Sequence, residues 1–401
     1  LEGEPIPGIE MEKQNMDMMT QQVPLQAINQ LLPQLITDDN RVVLMMLPDA
    51  EGFHVPTEAE VAASLAAVDK ETLEPYRDEM RTDPLIPNLP APGKITGEIH
   101  NAQWDATEFT LSNGLKVIVK PTTFKDNEIL FMASAKGGLS VVGEEQASSV
   151  IFMPYALDSR GLGAYTNSDI QKYLQGKQVN VNVNFDSYSR SVSGSTTKAD
   201  LPTLMELIYA TFTEFNFNAD EFAARQNMLT GVVANQESTP EFYFGKLALS
   251  KSYAAAGKQM ITSAHVKAAD HAATTAIVKD MLDCANDFTF YFVGSIDMAT
   301  FKPLLEQYIA TLPTGKSNVA YAYNAGHEVT LGKQAVEEVM EMATPQTWAY
   351  YIISGKVPYT AKNRVMSSMI GQIMSKRLLD KVREEMGATY SIGAQSSLTR
   401  M

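Results

Sequence analysis

Cysteine is all but missing. Cys284 is the single one among 401 residues, so no internal disulfide can staple the fold and no thiolate set can hold zinc or an iron–sulfur cluster. The redox compartment is left open. Long hydrophobic runs are missing as well: none approaches the roughly 18 consecutive apolar residues of a membrane-spanning helix. Basic charge is in short supply, with 32 Lys and Arg against 47 Asp and Glu and a formal net charge of −15. Such a field repels phosphate backbones and anionic membranes, which argues against a nucleic-acid partner. Histidine is scarce at five, His54, His100, His265, His271 and His327, and none stands in H-E-x-x-H or H-x-x-E-H spacing. The one close pair, His265 and His271, is six residues apart; on a helix that leaves the rings roughly 120° apart, whereas chelation wants one face. Phosphate loop, dinucleotide fingerprint and G-x-S-x-G elbow are absent, and Gly137-Gly138 and Gly161-Leu-Gly163 read as turns. Glu144-Glu145 reads as a solvated loop charge. Nor is there a methionine or a basic-then-apolar leader at Leu1, so the native start is expected upstream.

What is present is ordinary globular composition, 45% hydrophobic and 20% charged, over enough chain for two to four domains. A helix-like run from Leu25 to Leu35 precedes Arg41 to Leu47, an apolar run of strand length expected to be covered on both faces. Thr57 and Glu60 form a capping-box signature opening an Ala-rich helix to Val68. Pro84, Pro87, Pro90 and Pro92 exclude an interior helix or central strand. A new domain is expected near Trp104. Phe109 to Pro121 reads as strand, turn, strand about Asn113-Gly114. Ile129 to Ala135, Val179 to Phe185 and Phe288 to Val293 read as further strands, the second alternating Val with Asn. Helices are expected after Asp200 with Pro202 in the first turn, from Asn218 to Asn235, and from Thr300 to Thr311. Helices grouped after an antiparallel meander indicate α+β. From Val336 to Gly355 the text is strand-rich, and Asn363 to Met386 keeps helical spacing through Val365, Met366, Met369, Ile370 and Ile373.

The segment with chemical content is Arg383-Glu-Glu-Met-Gly-Ala-Thr-Tyr390. Gly387 suits a helix C-terminus, and a strand is expected to begin at Tyr390, so a guanidinium from the last helical turn and a phenol from the first strand residues converge. Two such donors suit a peptide carbonyl or the oxyanion formed when it is attacked. The plain alternative is an arginine complementing its helix end and a tyrosine packed at a strand start. Spacing alone leaves both open.

Four segments in register, Leu111 to Pro121, the strand to Gly137-Gly138, Phe288 to Asp297 and Arg383 to Tyr390, resemble the pitrilysin/insulinase-type zinc peptidases, most of all the large bacterial two-half members. The resemblance implies repeated α+β peptidase-half domains, each a mostly antiparallel sheet with helices packed on one side, forming one half of a clam shell. Two such halves would enclose a chamber for an unfolded peptide. The resemblance places H-x-x-E-H in the amino-terminal half, and has the carboxy-terminal half supply an arginine and a tyrosine to the substrate carbonyl; Arg383 and Tyr390 match those positions. Where a zinc helix would follow, the text reads Ser148 to Ala156 without histidine or glutamate, and Pro154 is expected to interrupt the helix. The chain is then the non-catalytic half of a zinc endopeptidase. Residues 1–47 would be the tail of the second domain, 48–103 the linker between halves, 104–320 the third, inactive domain, and 330–401 the start of a truncated fourth.

The same resemblance implies no cofactor in this chain and zinc in the amino-terminal half. The expected partners are that half of the same polypeptide and an unfolded peptide, and the expected location is periplasmic or otherwise extracytoplasmic. A non-catalytic scaffold or peptide-binding member of the same fold is the alternative, like the core subunits of respiratory complexes. An unrelated secreted binding protein is a third, and would give the units at Leu111 and Val336 different folds. Because a lone histidine leaves most of a zinc coordination sphere to water, the chain should hold well under one equivalent of zinc after dialysis. One equivalent by atomic absorption, lost on changing His265 or His271, would contradict this.

Overall fold

The computed structural model describes residues 8–35, 37, 41–47, 52–68, 70–72, 74, 77, 81–253, 260–317, 329–342 and 344–398. The chain divides into two units, 1–78 and 79–401. The first contains helices α1 (Ile9–Gln22), α2 (Leu25–Leu35) and α3 (Glu58–Val68). The capping box forms as the sequence indicates: the Thr57 amide donates to Glu60 Oε2 at 2.7 Å and the Glu60 amide to Thr57 Oγ1 at 3.3 Å. The Thr57 amide, more than any other group, holds the Glu60 carboxyl below its ordinary range. Arg41 to Leu47 departs from expectation. It forms no ladder, and Val42 and Met46 are about nine-tenths exposed, because a strand exists only with a neighbour to pair with and none lies beside it among the described residues.

The second unit is built on a seven-stranded sheet. Its strands are β1 (Ile95–Asn101), β2 (Ala106–Leu111), β3 (Lys116–Pro121), β4 (Ile129–Lys136), β6 (Val179–Phe185), β7 (Ser189–Thr196) and β9 (Thr289–Gly294), in the order β1-β2-β3-β9-β4-β7-β6. Strands β5 (Gly161–Leu162) and β8 (Phe215–Asn216) form a separate two-residue pair. Only β3 and β9 run parallel; the rest of the sheet is antiparallel. Alternation along β4 sends Ile129, Phe131, Ala133 and Ala135 inward and leaves Leu130 and Met132 exposed. Phe131 lies opposite Phe292, ring centroids 4.9 Å apart.

The hairpin between β2 and β3 forms where Asn113-Gly114 marks it, with a different turn. The Gly114 amide bonds the Leu111 carbonyl, and the Leu111 amide bonds Leu115. Gly114 takes φ +84° while Asn113 keeps negative φ, so the loop is a type I turn closed by a left-handed glycine. The Asn113 amide reaches across to the carbonyls of Ile309 and Leu312 at 2.9 and 3.1 Å, tying the hairpin to the end of the helix that follows the strand Thr289–Gly294.

Helices cover one face of the sheet. Helix α4 (Ala147–Leu157) is followed by α5 (Asn167–Tyr173), α6 (Leu201–Thr213), α7 (Ala219–Glu237), α8 (Pro240–Ser252), α9 (Ser263–Ala268), α10 (His271–Leu282) and α11 (Met298–Leu304). Helix α6 lies against β6 and β7, and its Phe212 meets Phe288 edge-on at 5.1 Å. Helix α11 runs on into a wider turn, Leu305–Ile309. Pro154 sits inside α4 without ending it. Its ring is on the exposed side, where the Val150 carbonyl it leaves unbonded can turn to water, while Phe152, Met153 and Ala156 fix the helix in the core. The other face of the sheet carries exposed Leu130, Met132 and Tyr291.

The proline-rich stretch before β1 is fastened to this unit. Leu85 and Ile86 are buried in its core. Arg81 donates to the Ala164 carbonyl, the Tyr165 hydroxyl to Asp83, and Gln307 to Pro90. The first strand of the sheet thus lies within the span read as linker. Of residues 336–355, expected to be strand-rich, the described ones, 336–342 and 344–355, form no ladder; the bridge nearest in sequence among the described residues is Tyr253 with Val329. They too have no neighbouring strand among the described residues.

One ion pair is fully inside. Arg190 and Asp287 meet at 2.6 Å with side chains 0% and 2% exposed. Arg190 also donates to the Met281 carbonyl at 2.9 Å, and Ser317 donates to Asp287 at 2.6 Å. Removing one partner strands the other charge. Arg190→Ala should therefore cost about 3–5 kcal/mol in denaturant melts, and the apolar double change Arg190→Met with Asp287→Leu much less. Equal losses for the two would contradict the assignment.

Candidate functional site

Helix α12 (Ala361–Leu378) opens on Thr360, whose hydroxyl accepts the Asn363 amide at 3.1 Å. It continues as a wider helical turn, Leu379–Glu385, and ends at Gly387 with φ +61°. The Gly387 amide bonds the Arg383 carbonyl at 3.1 Å and the Ala388 amide the Val382 carbonyl at 3.0 Å. A left-handed residue at this point reverses the chain, which glycine permits at little strain.

The reversed segment runs back along the helix. Ser375 Oγ donates to the Ala394 carbonyl at 2.6 Å and accepts the Ala394 amide at 2.8 Å. Ser367 and Ser396 hydroxyls meet at 2.7 Å. Gly371, the one buried residue of α12, lies under this contact: a Cβ there would come within 2.9 Å of the Ser396 nitrogen.

This reversal brings the two sequence-marked residues together. The Arg383 guanidinium lies over the Tyr390 ring, 4.7 Å from its centroid. Arg383 is 38% exposed and within 3.5 Å of Glu384; Tyr390 is 83% exposed. Residues 390–393 are not a strand, because among the described residues they meet α12 and no sheet. Tyr390 is placed instead by Gly387 and by the Thr389 hydroxyl, which accepts the Ser391 amide at 3.3 Å. Two hydrogen-bond donors thus stand side by side in water. There they can grip a carbonyl oxygen only weakly; a surface that closed over them and excluded water would strengthen both. The apolar stripe of α12 is open on the same element, with Val365, Met369, Ile370 and Ile373 all exposed.

The residues at hand do not fit a metal. Among the described residues no group of three metal-ligating side chains gathers. His265 accepts the Thr262 amide through Nδ1 at 3.2 Å, as a helix cap. His271 Nε2 bonds the Phe217 carbonyl at 2.8 Å. His54 pairs with Glu60 at 3.1 Å on the surface, His100 lies 3.9 Å from Asp105, and His327 is outside the described residues. On α4, where the resemblance would put zinc ligands, Phe152, Met153 and Ala156 point into the core.

A second concavity was not legible in the sequence. A cleft of about 540 Å³ opens between α5 and the edge strand β6, lined by Arg160, Lys177, Val181 and Asn182 among others.

Comparison with known proteins accords with the resemblance read from the sequence. Residues 285–401 match the model of the peptidase M16 inactive domain. The chain is 24% identical over 315 residues to a "Zinc protease PQQL-like" protein of Arabidopsis thaliana, covering 78% of this chain and 30% of that one. Among solved structures, the periplasmic protease PqqL of Escherichia coli superposes with a TM-score of 0.64 at 18% identity, over 86% of this chain and 38% of that one. A mutant of the ferredoxin protease FusC, solved in complex with Arabidopsis ferredoxin, gives a TM-score of 0.63 at 17% identity, with the same coverage. The chain therefore spans less than two-fifths of the length of these relatives, and its α+β fold is that of their halves.

Gly371→Ala tests the packing that sets the site. Alanine is the better helix former by about 1 kcal/mol, yet its Cβ would push the return segment off α12. The Ala394 amide should exchange faster with solvent in the variant; unchanged protection would show that the segment is held elsewhere.

Proposed function

We propose that this chain, whose residues 285–401 match the peptidase M16 inactive domain, serves as the carboxy-terminal half of a zinc-dependent endopeptidase. Its own part is to close the substrate chamber and to present Arg383 and Tyr390 to the scissile carbonyl of an unfolded peptide. The zinc, with its ligands, would lie in an amino-terminal half of the same polypeptide. On this reading residues 1–47 are the tail of the second domain, 48–103 the linker together with the first strand of the domain it leads into, 104–320 the rest of the third domain and 330–401 the start of the fourth. A periplasmic location is supported by the relative described as periplasmic.

The observation that carries the reading is the juxtaposition of Arg383 and Tyr390 at 4.7 Å, with neither donor engaged, among the described residues, by a protein acceptor other than the loose Glu384 contact. A carbonyl oxygen carries more charge in the transition state than in the ground state. Donors aimed at it therefore act chiefly on the rate of the chemical step. Their exposure fits a site completed by another surface, and the exposed apolar stripe of α12 fits the further packing of a larger fourth domain. A core-facing α4 without zinc ligands supports a supporting rather than a metal-bearing role.

In the complete protein, with a fluorogenic peptide as substrate, Arg383→Ala and Tyr390→Phe should each lower kcat on the order of 10²-fold with little change in KM. A kcat unchanged in both variants would reduce the pair to a helix-end arginine stacked on a surface tyrosine.

A further inference from the structure

The cleft beside β6 has a composition that the endopeptidase reading does not use. Among the described residues strand β6 is the last strand of the sheet and pairs with β7 alone. The Asn180 carbonyl faces β7, since it lies where a Cβ on Gly194 would fall. By the two-residue alternation of a strand, Val181, Val183 and Phe185 then turn their carbonyls and amides outward, to the open edge. Arg160 closes that edge at one point. Its Nη2 donates to the Val181 carbonyl and its Nη1 to the Leu157 carbonyl at 3.2 Å.

Among the described residues this arginine forms no ion pair. Burial, above all, weakens its hold on its proton, although the nearby charge of Asp158 favours its protonated form. Asp158, on the same rim, is paired with Arg225 at 3.2 Å. Lys177, also in the cleft, bonds the Thr203 hydroxyl at 3.2 Å and lies over the Tyr173 ring at 4.0 Å, again without a carboxylate. Glu206 of α6 is engaged by the Tyr173 hydroxyl at 2.5 Å. A protein of net charge −15 thus keeps in one cleft two cations that, among the described residues, touch no carboxylate directly. Capping a lone carbonyl would need only a neutral amide, and a half-buried guanidinium without a counter-charge is costly. Among the described residues three of the five guanidinium N–H groups meet no protein acceptor.

We propose that this cleft binds the free carboxylate end of an extended peptide, with the carboxylate on Arg160 and Lys177. The peptide main chain continues the sheet along Val183 and Phe185, antiparallel to β6. The direction follows from the position of Arg160. By occupying the Val181 carbonyl it stops a strand that arrives from the Phe185 side, so a chain that ends there gains an ion pair while one that continues meets a block. The cleft would therefore distinguish chain ends from internal segments. No zinc and no second half take part, so this site stands or falls apart from the endopeptidase reading.

The test uses the whole 401-residue chain and a short fluorescein-labelled peptide without acidic side chains, made both as the C-terminal acid and as the amide. In fluorescence anisotropy the acid should bind roughly tenfold tighter than the amide. Arg160→Gln, which keeps an N–H for Val181, should abolish that preference, and Lys177→Gln should reduce it. Equal affinity of acid and amide for the unaltered protein would overturn the proposal, as would a preference that survives Arg160→Gln. Should Arg160→Gln fail to fold by circular dichroism, the acid–amide comparison and Lys177→Gln decide. N-acetylglycine separates the two sources of a carboxylate: displacement of the peptide only at far higher concentration supports the strand-bound end, and displacement at the peptide's own concentration overturns it in favour of a small-acid site.

Discussion

The buried pair of Arg190 and Asp287 is the contact on which the sheet-bearing unit turns. Arg190 sits at the start of β7, Asp287 just before β9, and the carbonyl of Met281 at the end of α10 is a further acceptor for the arginine. One guanidinium thereby joins two strands and a helix that the chain visits far apart. It also stacks over Phe288 at 5.3 Å, which meets Phe212 of α6 edge-on. Charge and aromatic core meet at that point. The desolvation such a pair demands is met only when every partner is in place, so it favours a single arrangement of these elements.

At the other end of the unit the design is inverted. Arg383 and Tyr390 are held by backbone devices, a left-handed glycine and a serine clasp, and their polar ends are left to water. A fold that buries one arginine against a carboxylate and leaves another stacked on an exposed ring treats the same side chain in two ways. The first stabilises the protein itself. The second leaves donors available to something outside it, and the low dielectric that would strengthen them has to come from a partner surface.

Much of this could be read in the sequence where the signal was local. The alternation of Val179 to Phe185, the Asp200–Pro202 helix opening, the capping box at Thr57 and the hairpin at Asn113-Gly114 all depend on neighbours in the chain, and each element formed. Arg383 and Tyr390 were legible for the same reason, since a helix end and seven residues set their approach. What escaped was set by distant partners. The apolar runs at Arg41 and Val336 look like strands but form no ladder among the described residues, because pairing belongs to a neighbour and not to the run itself. Leu85 and Ile86 sit among prolines, which mark extended chain without showing where it docks. Arg190 did carry a clue: the period that sends Val192 inward sends Arg190 inward too. Arg160 carried none, as its meaning depends on an edge strand some twenty residues on.

The placing of β9 bears on how the molecule is made. Strands β1, β2 and β3 pair in sequence, and β4, β7 and β6 make a second antiparallel piece, yet the two touch only through β9, which lies between β3 and β4. During synthesis both pieces must therefore wait, each with an unpaired inner edge, until Thr289 to Gly294 leaves the ribosome. Long-range pairing of this kind is slow and leaves strand edges open to other chains. The interval between the two pieces and their keystone is the period when a nascent chain of this protein most needs a chaperone's shelter.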